Sequence, residues 1–150
     1  MMNPFDLKSA LTAKHAQHVV LIHFPIALCM TSVLFDFLAR WTRRNVLAAA
    51  AYYNLSVAAI MTLPAMATGL LAWQWQLEGQ RLRGNLLLHL VLGTVSSALI
   101  WMVWWLHVRA RRNSEESLPS YILAIEVVVM GVVGLTAHVG GFLSGVNGPG

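Results

Sequence analysis

A chain of 150 residues that is 57% hydrophobic and 11% charged, with a mean hydropathy of +0.63, lies far from soluble domains, where about a quarter of residues are charged. The formal charge of +4 and pI near 9.8 do not indicate nucleic acid. The basic residues sit beside the ends of apolar runs, which is the signature of membrane orientation.

Residues 1–17 contain no apolar core of the kind a cleavable signal peptide needs, so the first span is expected to act as the targeting signal. Asn3-Pro4 has the form of a helix start, and Leu7, Ala10, Leu11 and Lys14 suggest a short amphipathic helix on the membrane surface. Four runs then reach the roughly 20 apolar residues needed to cross about 30 Å of hydrocarbon. They are residues 19–39, 46–73, 86–106 and 121–142. The runs are continuous rather than alternating, and lipid requires every backbone polar group to be paired within the segment. The expectation is an all-α transmembrane four-helix bundle forming one domain over residues 1–150.

A basic turn at residues 40–45 joins spans one and two, residues 74–85 join two and three, and residues 109–120 join three and four. Residues 145–150 read as an irregular glycine-rich cap. Pro25 and Pro64 lie inside spans one and two and are expected to kink them. Side A is the end bearing the N-terminus, and side B is the other. Side B carries Arg40, Arg43, Arg44, Arg109, Arg111 and Arg112, whereas side A carries Lys8, Lys14, Arg81 and Arg83. Lys and Arg in short loops favour the cytoplasm, so side B is expected inside, with both termini periplasmic in a bacterial inner membrane. Trp41, Trp104 and Trp105 near side B, with Trp73 and Trp75 near side A, fit two aromatic belts.

The histidines carry the chemistry. His15 and His18 precede or open span one, His23 lies about one turn inside it, and His89 lies about one turn inside span three. His138 sits about two turns before the side-A end of span four, while His107 stands on side B. At about 1.5 Å per residue, His23 and His89 reach roughly 6–8 Å below the side-A boundary and His138 roughly 10–12 Å. A lone histidine near a helix end often does no more than reach interfacial water. Three helices bringing imidazoles to similar depth suggest a site, because ionisable groups within spans are costly.

Gly131, Gly134, His138, Gly141 and Gly145 share one stripe of span four at about 100° per residue, and Gly93 and Ser96 share the face of His89. Such residues suit close helix packing or the flat slot a porphyrin needs. Beside histidines they point to haem b, whose iron takes axial imidazoles from facing helices. His23 with His89 or His138 is the expected axial pair. His18 points about 140° away from His23 at that helical pitch and is the fourth candidate, sufficient for a second haem.

The single cysteine, Cys29, excludes an internal disulfide and a CxxCH attachment of a c-type haem. Imidazoles alone also suit copper, iron or zinc, but no carboxylate lies at that level, which argues against a di-iron centre. Asp36 and Glu126 are the acids within spans. They suit a proton path or a quinone head group, or pairing with Arg40 or the arginines of the side-B turns, the expectation for Asp36, whereas Glu126 has no evident partner in sequence.

His18-Val-Val-Leu-Ile-His23-Phe-Pro-Ile and Asp36 resemble the first span of the DUF2231 membrane proteins. Leu87-Leu-His89 resembles their third span, and His138-Val-Gly-Gly141 their H-x-G-G motif in the fourth. The likeness covers nearly the whole chain and departs from the pattern in span two, where Gly69-Leu-Leu-Ala-Trp lacks an acid after the glycine. It implies a small haem-binding or redox-associated membrane protein. The resulting expectation is a non-catalytic b-type cytochrome, an electron-transfer or anchor subunit of a respiratory complex. Its cofactor is held by His18, His23, His89 and His138 beside Gly134 and Gly141. Its partners are the lipid bilayer and other membrane or periplasmic redox subunits, such as a c-type cytochrome, or a quinone. The alternatives are a cofactor-free structural subunit and a copper, iron or zinc binding or transport protein.

Overall fold

The computed structural model describes residues 16–76, 78–79, 81–113 and 118–144. The expected N-terminal amphipathic helix and glycine-rich cap lie outside these residues. Four helices fill the described chain: α1 (Ala16–Thr42), α2 (Asn45–Gln76), α3 (Gly84–Arg112) and α4 (Ser120–Leu143). All four are long and apolar enough to cross a membrane. Each contains its expected span and continues past it, because helical hydrogen bonding persists where the sequence turns polar. The last turns of α1 and α3 thus take in Arg40 and Arg109, Arg111 and Arg112. Pro25 and Pro64 lie within α1 and α2 without interrupting either helix.

The turns follow from local backbone chemistry. Arg43 takes a left-handed φ of 55° between α1 and α2, a conformation that permits the reversal in two residues. Between α2 and α3 left-handed φ falls on Glu78, at 48°, and on Gly79 and Gly84, where glycine has no Cβ to clash.

Sequence neighbours pack as antiparallel pairs, α1 on α2 and α3 on α4, and narrower α2–α3 and α1–α4 contacts close the ring. Buried positions recur at alternating steps of three and four: Pro25, Cys29, Ser32 and Asp36 on α1, and Ala51, Leu55, Ala58, Thr62 and Ala65 on α2. Ser96, Ile100, Val103, His107 and Ala110 follow suit on α3, and Ile122, Glu126, Val129 and Val133 on α4. This near-3.5 repeat keeps one seam of each helix inward, as in a left-handed bundle.

The seam is small and partly polar while the outside is large and apolar, with Phe24, Leu34, Val57, Leu63 and Val128 all exposed. That distribution suits lipid, where burying apolar side chains gives little advantage and close packing or hydrogen bonding drives association. The central core comprises Cys29, Leu55, Ala58, Ala59, Ile100, Val103, Val129 and Val133. Hydrogen bonds tie the helices across it: Ser32 Oγ to the Ala51 carbonyl at 2.8 Å, Trp101 Nε1 to Thr62 Oγ1 and Trp104 Nε1 to Ser56 Oγ, both at 3.1 Å, and Ser96 to Thr136 at 2.7 Å.

Candidate functional site

Two polar clusters occupy the seam, one toward each end of the bundle. At about 1.5 Å per residue, His89 in the first and His107 in the second are separated by about 27 Å along α3.

In the side-A cluster, His18 of α1 and His89 of α3 meet across the bundle diagonal, with ring centroids 6.5 Å apart and planes 80° apart. The flanking helices approach both rings through glycine. A Cβ on Gly69 of α2 would stand 2.9 Å from His18 Cε1, and one on Gly140 of α4 would stand 2.9 Å from His89 Cε1. Neither ring could keep its position beside a Cβ, so glycine leaves the imidazoles room that another residue would take.

Thr68 sets the orientation of His18. Its hydroxyl donates to the Pro64 carbonyl at 2.8 Å, which leaves its oxygen to accept from the His18 Nδ1–H at 3.2 Å. That tautomer puts the lone pair of His18 on Nε2, and fixing one ring nitrogen so that the other can ligate is the usual arrangement of metal-bound histidines. His89 Nδ1 is buried and has no hydrogen-bond partner among the described residues.

The other sequence candidates stand elsewhere. His23 is exposed on α1, and its Nδ1–H donates to the Val19 carbonyl of the preceding turn. His138 is exposed on α4, with its ring edge-on to Phe142 at 5.0 Å. The expected pairing of His23 with His89 or His138 is therefore not the one the bundle assembles. His18 takes the place given to His23, because α1 turns its seam through positions 18, 25 and 29. The glycine stripe of α4 also faces outward: Gly131 and Gly134 are exposed, and a Cβ on either would meet nothing within 4 Å. Gly141 is half-buried, and its neighbour Gly140 is the residue against the imidazole.

The side-B cluster joins Asp36 of α1, His107 of α3 and Glu126 of α4, which are 2%, 2% and 1% exposed. His107 Nε2 lies 2.7 Å from Glu126 Oε1 and 3.6 Å from Asp36 Oδ2. Arg40 does not partner Asp36 as expected. Its guanidinium reaches across to α4 instead, donating to the Leu118 carbonyl at 3.1 Å and to Ser120 Oγ at 2.7 Å. Arg111 is likewise engaged, donating to the Ala48 carbonyl at 3.3 Å with its guanidinium 4.2 Å from the Tyr52 ring centroid.

Sequence reasoning treated Glu126 as isolated and His107 as a lone side-B residue. The missed signal was register. Asp36 follows Cys29 by seven, His107 follows Ser96 and Ile100 by eleven and seven, and Glu126 precedes Val129 and Val133 by three and seven. Extending the same register picks out His18, Gly69, His89 and Gly140 and omits His23 and His138.

Four apolar helices of spanning length around a polar seam define an α-helical integral membrane protein. The chain belongs to the DUF2231 family, described as predicted membrane proteins, whose profile matches residues 14–148. No curated protein and no solved structure matches it.

Proposed function

We propose that this protein is a small b-type cytochrome in which His18 and His89 bind one haem iron at the side-A end of the bundle. The observation that carries this reading is the diagonal imidazole pair. With ring centroids 6.5 Å apart, His18 and His89 are the residues that would hold one metal ion between them, each imidazole nitrogen lying about 2 Å from it. A haem bound there supplies one-electron transfer, with a potential set by its ligands and their burial.

The chain's own residues do the rest. Thr68 holds the His18 tautomer, Gly69 and Gly140 keep side chains away from the rings, and the packed central core of Cys29, Leu55, Ala58 and Val133 lies farther down the bundle. Met66, whose sulfur lies 4.0 Å from where a Gly93 Cβ would be, supplies a soft wall on that side of the bundle. Connections as short as two residues between α1 and α2 leave little surface for soluble chemistry. The fitting role is a relay or anchor subunit that exchanges electrons with a redox subunit, a c-type cytochrome or a quinone. The arginine excess on side B favours an orientation with the histidine pair toward the periplasm of a bacterial inner membrane.

The test is a reduced-minus-oxidised visible spectrum with a pyridine haemochrome assay on protein expressed with ample haem. The reading predicts one haem per chain, lost in His18→Ala and His89→Ala and retained in His23→Ala and His138→Ala. Folded but colourless wild-type protein would exclude it.

A further inference from the structure

The hydrogen-bond inventory of Asp36, His107 and Glu126 does not close. A neutral imidazole nitrogen can donate to one acceptor, and the 2.7 Å contact gives that role to Glu126 Oε1. Asp36 Oδ1 and Oδ2 and Glu126 Oε2 are buried with no donor from any other described residue, so beyond that contact the two acids can hydrogen-bond only to each other, through a proton shared between them. Both nearby arginines are committed elsewhere, Arg40 to the start of α4 and Arg111 to α2. Unpaired carboxylates in a low-dielectric interior are costly, and acids within membrane spans that persist are usually functional.

We infer that Asp36, His107 and Glu126 form a binding site for one divalent transition-metal ion, near the side-B end of the bundle and separate from the imidazole pair at the other end. One donor atom from each residue already lies within 4.8 Å of the other two. Donors about 2.0–2.2 Å from an ion stand at most about 4.4 Å apart, so small rotamer adjustments complete the set. Two carboxylates balance the charge of a divalent ion, making the occupied site neutral within the membrane. One imidazole nitrogen with two carboxylate oxygens is a borderline donor set. It suits zinc, ferrous or manganous ion better than the soft sulfur-seeking cuprous ion or the all-oxygen preference of magnesium and calcium. Three protein ligands leave a coordination position open. The ligands come from α1, α3 and α4, so the ion pins three helices where the arginine-rich turns meet the membrane.

The experiment uses the untagged full chain in detergent micelles, expressed with added zinc and separately stripped with chelator and titrated with zinc or cobalt(II). The expected result is one ion per chain by elemental analysis and visible ligand-field bands for the cobalt form. X-ray absorption of the zinc form should show an all-nitrogen/oxygen shell containing one imidazole. Asp36→Asn and Glu126→Gln, close in shape to the native side chains and checked for monodispersity and helicity, should weaken binding by at least the roughly hundredfold that even outer-shell partners can carry. His89→Ala should bind as tightly as wild type. Folded wild-type protein that takes up neither ion would overturn the assignment. So would a shell with several imidazoles, or an ion lost in His89→Ala and kept in Glu126→Gln. The wild-type spectra decide the matter even if both carboxamide variants fail to fold.

Discussion

Gly140 and Gly134 lie on the same helix and differ in what a methyl group would meet. A Cβ at Gly140 would stand 2.9 Å from the His89 ring, whereas one at Gly134 would contact nothing within 4 Å. Gly140→Ala forces the imidazole to rotate, since the ring can move more readily than the helix backbone. The expected result is haem binding weakened by about tenfold, or about 1.4 kcal/mol, with Gly134→Ala unchanged. Haem titration of the purified variants measures both. At the opposite end, Glu126→Ala removes the acceptor of the 2.7 Å His107 bond and leaves an imidazole buried beside Asp36. Breaking a buried pair by deleting one partner costs about 3–5 kcal/mol, whereas Glu126→Gln keeps a side-chain carbonyl and should cost about 1–2 kcal/mol. Unfolding in mixed micelles ranks the two, and equal losses would mean that the contact contributes little.

At the scale of elements, α1 and α2 pack closely because their contact is built from small residues. Ala51, Ala58 and Ala59 are at most 1% exposed, and Ser32 spans the remaining gap to the Ala51 carbonyl. Ala58→Leu would push three carbons into filled space, and overpacking of this kind costs about 1–3 kcal/mol. The α2–α3 contact is narrower and relies on hydrogen bonds from Trp101 and Trp104. Trp101→Phe keeps one six-membered aromatic ring and drops the pyrrole ring with its N–H, so the lost hydrogen bond, about 0.6 kcal/mol on average between helices in membranes, adds to a loss of packing. The same unfolding assay measures Ala58→Leu and Trp101→Phe against wild type.

For the whole molecule, the alternating three-and-four step on every helix turns a common seam inward and leaves lipid-facing surface around it. Both polar clusters follow from that geometry, one near each membrane face. The orientation proposed from the arginines has a direct check, because Cys29 is buried in α1 and should stay inert to impermeant thiol reagents. A cysteine replacing exposed Glu78 is expected to label from outside intact spheroplasts, and one replacing exposed Asn113 only after permeabilisation. The reverse pattern would invert the orientation and move the His18–His89 pair to the cytoplasmic side.

The spans, their number and their connections were legible in the sequence, because helix formation in lipid depends on continuous apolar length and the internal pairing of backbone groups. His18, His89, Asp36 and Glu126 were legible as chemically notable residues for the same reason, since polar groups in apolar runs stand out. Their grouping was not. Depth along a helix can be counted from residue number, but rotation about its axis depends on which face the neighbouring helices cover. Counting depth alone made His23 and His138 look equivalent to His89, whereas packing turned His23 and His138 outward and His18 inward. Packing also brought Asp36, His107 and Glu126, distant in sequence, within hydrogen-bonding or ligand-forming reach. Side-chain direction and contacts across the bundle are properties of helix packing, and no single helix specifies them.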